Sequence, residues 1–235
     1  MKRTKFFASL MLMIGALSFS ACNYWDNPVV IDDPVSPPTN DERLNQVVPQ
    51  EIRERMESWM PIYDGINPPF VEGVYNIEPM IAEYCSDRES GWTAIPTVIR
   101  FSNQNSTNNT LDYADYEGSL QACIGEGAFI SGEGNNFSVY FNTIGQMTNV
   151  DTKTALVISG TKTSEGIANL YYAFVMVEKG SDPGHRVMNQ GEFRIFKDND
   201  GISETTAWNP PALARQRTSV ANNEEETMYI FSPAN

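Results

Sequence analysis

Histidine is nearly absent from this 235-residue chain; His185 is the only one. It sits in Ser181-Asp182-Pro183-Gly184-His185, a turn-forming run, and reads as a loop residue rather than a general base. A Ser–His–acid triad would have to use it, and no Gly-x-Ser-x-Gly elbow supplies a nucleophile. One histidine and three cysteines also leave too few ligands for a zinc site built from those residues. Positive charge is scarce as well, with 16 Lys and Arg against 30 Asp and Glu. A surface that negative repels phosphate backbones, so nucleic acid is excluded as a partner. Finally, the apolar run Phe6 to Leu17 falls short of the ~20 residues that a spanning helix needs.

That run has the dimensions of a signal-peptide core. Lys2, Arg3 and Lys5 precede it as a positive n-region, and Ser18-Phe19-Ser20-Ala21 leads to Cys22. Small residues directly before a Cys at the end of an apolar core resemble the bacterial lipobox. The resemblance implies a signal peptide over 1–21, diacylglycerol on the Cys22 thiol, and a mature chain that begins at Cys22. Ordinary signal-peptidase cleavage near Ala21 or Cys22, releasing the protein, is the alternative. Loss of Lys2, Arg3 and Lys5 leaves 13 basic against 30 acidic residues, a net −17, so membrane attachment falls to the acyl chains. Residues 22–47 hold Pro28, Asp32, Asp33, Pro34, Pro37 and Pro38, a composition that stays extended, and read as a spacer. Acidic residues soon after an acylated Cys resemble export signals of surface lipoproteins, so the expected address is the cell outer membrane.

The remainder, 48–235, reads as one domain. Pro49 opens a helix that carries Ile52, Met56 and Trp59 on one face and Glu51, Arg53, Glu54, Arg55 and Glu57 on the other. From Val71 the apolar pattern changes to period two. Val71–Tyr84, bent at Pro79, Thr93–Phe101, Leu111–Glu117, Gln121–Ser131, Phe137–Thr143, Ala155–Gly160, Leu170–Val177 and Glu192–Lys197 read as strands, with Met228–Phe231 as a closing one. Gly132–Asn136 and Asp198–Gly201 read as hairpin turns. Some eight strands with local turns and almost no helix between them predict an antiparallel barrel with one N-terminal helix, or alternatively a sandwich.

The run Met60–Tyr75, from Met60-Pro61-Ile62-Tyr63 through Pro68-Pro69 to Gly73-Val74-Tyr75, resembles a segment of uncharacterised lipoproteins from Bacteroides-type Gram-negative bacteria. Arg194–Gly201 resembles a late hairpin of the same group. The resemblance implies a calycin- or lipocalin-like β domain, and it implies no activity. Gly73-x-Tyr75 is similar to the Gly-x-Trp that opens the first lipocalin strand.

Other candidates point to little chemistry. Asp198-x-Asp200-Gly201 with Glu204 suggests calcium, but aligning Gly201 to the sixth position of an EF-hand loop puts Phe196 at the first, where it cannot ligate. Among so many acids no carboxylate pair stands out for hydrolysis. Cys85 and Cys123 form a disulfide in an oxidising compartment or remain as buried thiols. The sequence therefore predicts a non-enzymatic binding domain without cofactor or metal. Its expected partners are the membrane, through the anchor, and a small apolar molecule, a glycan or an envelope protein. An assembly subunit of an envelope complex and a hydrolase of surface polymer are the rival readings.

Overall fold

The computed structural model describes residues 40–117, 122–147 and 149–210. The signal segment, Cys22 and the Met228–Phe231 strand lie outside the described residues. Two short helices come first, α1 (Asn40–Val47) and α2 (Gln50–Met56). The strands follow as β1 (Ile66–Asn67), β2 (Gly73–Ile77), β3 (Met80–Cys85), β4 (Thr97–Asn105), β5 (Thr110–Glu117) and β6 (Ala122–Glu133). After them run β7 (Asn136–Met147), β8 (Val150–Lys162), β9 (Gly166–Lys179), β10 (Phe193–Asp198) and β11 (Ile202–Glu204).

The strands pair in the order β2-β4-β5-β6-β7-β8-β9-β10-β3, each with its neighbour antiparallel, which makes a nearly closed barrel of nine strands. Closure comes from the segment read as one bent strand. Its lower half, β2, pairs with β4, and its upper half, β3, pairs with β10 on the opposite margin. The break falls at Glu78-Pro79, where proline has no N–H to give to a ladder. Opposite this break the last strand is broken too. Between the pairs Lys197↔Tyr171 and Ile202↔Ala168, that strand spends five residue steps against three on β9. Asp198–Gly201 is therefore not a hairpin, as its sequence suggested, but a bulge that separates β10 from β11 along one edge of β9. Asn199 N–H donates to the Pro79 carbonyl at 2.9 Å, so the two breaks are bonded to each other. Thr205 then bridges Tyr75, and Thr206 N–H donates to the Val74 carbonyl at 2.9 Å, sealing the lower seam.

Strand alternation builds two apolar layers. Leu156 and Ile158, Tyr172 and Phe174, and Phe137, Val139 and Phe141 face inward. Ala155 and Val157, Ala173 and Val175, Phe193 and Ile195, with Tyr140 and Phe129, face outward yet are also buried. The outer layer is covered by the helices through Leu44, Val48, Met56 and Met60. Each such side chain contributes about 1.5–3 kcal/mol when it leaves water. Two-sided burial explains why β8 reads as Thr154-Ala155-Leu156-Val157-Ile158 rather than as a polar–apolar alternation.

Three expectations need correction here. Among the described residues there are two helices, not one, because Pro49 caps α2 from outside while Val48 N–H still bonds the Leu44 carbonyl at 2.8 Å. The spacer cannot extend to residue 47, since Leu44 is buried against the barrel wall. Trp59 lies past the end of α2 and is 45% exposed, stacked on Tyr84 with ring centroids 4.3 Å apart. The Gly73-x-Tyr75 pair has a steric basis. Gly73 has φ 151°, and a Cβ there would meet the Tyr75 hydroxyl at 2.8 Å. That hydroxyl folds back to donate to the Val71 carbonyl at 2.8 Å.

Candidate functional site in the barrel interior

The two ends of the barrel differ. The lower half of the interior, around Tyr75, Phe101 and Phe137, is filled by aromatic rings in mutual contact. Phe101 lies 6.2 Å from Tyr75, 5.9 Å from Tyr113 and 6.1 Å from Phe137 between centroids. The upper half carries the polar side chains. Leu111 and Tyr113 of β5 face inward, and period two places Asp115 and Glu117 on the same face. The two acids are then about 6.6 Å apart along the strand, at roughly 3.3 Å per residue. Asp115 is 4% exposed and Glu117 8%.

Their surroundings separate them. Asp115 accepts the Tyr113 hydroxyl at 2.6 Å and the Tyr172 hydroxyl at 3.1 Å, both on the same carboxylate oxygen. Glu117 ends the inner face of β5. Burial, and then the charge of Asp115, push its carboxyl well above the usual glutamate range. The pair thus comprises an acid held by two tyrosine hydroxyls and an acid whose ionisation is disfavoured by burial and by its neighbour. Thr143 and Thr154 share a 2.6 Å hydroxyl contact on the neighbouring wall between β7 and β8. Met147, Met176 and Met188 complete the inner apolar lining at this end.

A second buried polar group lies at the same end. Arg194, at the start of β10, grips Asp87 through Nε at 2.9 Å and Nη2 at 2.6 Å. Burial acts to raise the Asp87 carboxyl, but the hydrogen bonds and charge of Arg194 outweigh it and hold it below the usual aspartate value. This fork-to-fork pair ties the segment after β3 to β10 and so fastens the upper seam. Cys85 lies beside it as a free, buried thiol. The bridge to Cys123 is therefore not formed. β3 pairs with β10 and β6 with β5 and β7, which leaves the two cysteines on strands that are not neighbours. Burial raises the Cys85 thiol above its ordinary value, which argues against a nucleophilic role.

The other sequence candidates stay apart from this site. His185 occupies an exposed turn with φ 48°, its N–H bonded to the Asp182 carbonyl at 3.1 Å. Asp198 is buried in the bulge at the lower seam, where it accepts the Ser203 hydroxyl at 2.7 Å. No group of three or more His, Cys, Asp or Glu among the described residues is arranged to hold a metal ion. Asp115 and Glu117 escaped the sequence reading because acids are abundant. The signal was the run Leu111-Asp112-Tyr113-Ala114-Asp115-Tyr116-Glu117, where extending the inward face set by Leu111 and Tyr113 brings both acids inside. Comparison of the chain with protein-family models, with curated proteins and with solved structures finds no match.

Proposed function

We propose that this chain is a lipid-anchored, extracytoplasmic binding domain of the cell outer membrane, without catalytic activity, that holds a small molecule in the upper half of its barrel. The observation that carries the reading is the buried acid pair inside an apolar barrel, Glu117 next to an Asp115 held by two tyrosine hydroxyls. A ligand bearing hydroxyl or amine donors would hydrogen-bond to these acids and offset the cost of burying them. Methionines around the acids supply an adaptable apolar wall for the rest of such a molecule. A sugar or a hydroxylated apolar compound has this mixed character. Polymer hydrolysis would need the two carboxyls in an open cleft, and the burial of both favours binding over that reading.

The test is to purify the protein from its own envelope, release what is bound, and identify it by mass spectrometry. The reading expects one hydroxyl- or amine-bearing compound at about one equivalent, lost in Glu117→Ala and retained in Glu133→Ala, a surface control. A wild-type protein that carries no compound, and takes up none from an envelope extract, would refute it.

A further inference from the structure

The motif Asp198-x-Asp200-Gly201, with Ser203 beyond it, takes no part in the barrel-interior site. It forms the bulge between β10 and β11, which Asn199 bonds to the other break in the wall through the Pro79 carbonyl at 2.9 Å. Asp198 is 4% exposed and Ser203 is fully buried. One carboxylate oxygen of Asp198, Oδ2, accepts the Ser203 hydroxyl at 2.7 Å. The other, Oδ1, is closed off from solvent and accepts no hydrogen bond among the described residues. A buried polar atom in that condition calls for a partner of another kind.

A second acid stands beside it. The Asp200 carboxyl lies within hydrogen-bonding reach of the Asp198 side chain. Asp200 is exposed, and its Oδ1 accepts the Ile202 N–H at 3.1 Å, which fixes it over the bulge. Two carboxyls in contact need something positive between them, either a shared proton or a cation. The neighbouring base on the strand does not supply it. Side chains alternate along β10, so Lys197 points to the opposite face, where it pairs with Glu83 at 2.6 Å.

The donors at hand decide which cation suits the place. They are all oxygen: two carboxylates, a hydroxyl and the carbonyls of an irregular loop. Softer metals prefer imidazole or thiolate, and neither is present in this segment. Magnesium demands a near-ideal octahedron and gives up its water reluctantly, whereas calcium takes about six to eight oxygens in a flexible shell. The spacing fails the EF-hand count, but the two acids still meet because the bulge folds Asp200 back toward Asp198. Asp200 opens the place to solvent, and Asp198 supplies the buried charge.

We infer that Asp198 and Asp200 hold a calcium ion, which fastens the bulge of the last strand to the barrel wall at its seam. The site requires neither a ligand in the barrel nor an acylated Cys22. The experiment melts the full chain in chelator, in about 10 mM calcium chloride, in equal magnesium chloride, and in sodium chloride of matched ionic strength. Extracellular calcium sites have Kd values of about 10⁻⁴–10⁻³ M, so calcium should raise the melting temperature by about 3–10 °C. Titration calorimetry should give about one equivalent bound, and magnesium and sodium should shift the melt far less. Asp198→Asn and Asp200→Asn should each abolish the calcium shift, while Glu89→Gln, another exposed acid, should keep it. In chelator Asp198→Asn should melt above the parent, and calcium should close that gap. An equal shift with magnesium marks general screening of a chain of net charge −14 and overturns the site. A shift that persists in both Asn variants places the ion elsewhere and also overturns it. No calcium shift at all leaves the two acids sharing a proton, and the inference fails.

Discussion

Tyr172 on β9 donates its phenolic hydrogen to Asp115 on β5 at 3.1 Å, across an interior where three strands separate the two in the sheet. The bond joins opposite walls of the barrel at the depth where the aromatic packing gives way to polar groups. Hydrogen bonds to a charged acceptor contribute about 1.5–3 kcal/mol, more than neutral ones. Tyr172→Phe should therefore lower unfolding free energy in urea by about 1.5–2 kcal/mol. Because Tyr113 still holds Asp115 at 2.6 Å, the variant should remain folded.

Glu117 sets a pH dependence of definite sign. Its carboxyl is raised in the folded protein by burial and by Asp115, so the folded state keeps a proton that the unfolded chain releases near its ordinary 4.5. Stability is greatest below that value and falls as pH rises toward the folded pKa. Glu117→Gln, which cannot ionise, should be more stable than the parent at pH 8, because ionising a carboxyl buried beside Asp115 is what costs the parent stability there. The difference should vanish by pH 4. Chemical denaturation across that range checks both statements.

Asp198 repeats the argument at the lower seam. Burial raises it to about 6 from 3.8, with Asp200 adding to the effect and the Ser203 hydroxyl opposing it. Stability contributed by the protonated form is present below about pH 4 and is lost as pH passes through 6. Asp198→Asn should raise the melting temperature at pH 7.5 by a few degrees, corresponding to about 1 kcal/mol, and leave it unchanged at pH 3.5.

Much of the barrel was legible from residue order. Phe137, Val139 and Phe141 recur at every second position, and Pro79 interrupts a run that otherwise reads as one strand. What resisted reading has physical causes. α1 carries only Leu44 and Val47 as apolar anchors, with Val48 just past its end, in a polar, acidic stretch, and only contact with the barrel wall makes those few residues enough. Asp198-Asn199-Asp200-Gly201 has hairpin chemistry, yet the partner of the strand beyond it is β9 rather than β10, a long-range choice that local turn propensity does not encode. The acid pair of β5 was hidden by the number of other acids. Burial, not residue type, sets it apart.

The helical cover gives a truncation its outcome. Removing residues 22–39 should leave the melting temperature nearly unchanged, since α1 starts at Asn40. Extending the deletion through Val47 removes Leu44, which is 2% exposed, and should cost as much as a large core truncation. Leu44→Ala alone should cost about 2–4 kcal/mol, measured by urea unfolding.

The intact mass of the mature chain, taken from its native membrane, bears most directly on the whole account. A polypeptide that begins at Cys22 and carries acyl chains on that residue, and that is found in the envelope fraction, is the expected result. A mature N-terminus elsewhere, or a Cys22 sulfur without acyl mass, would contradict it.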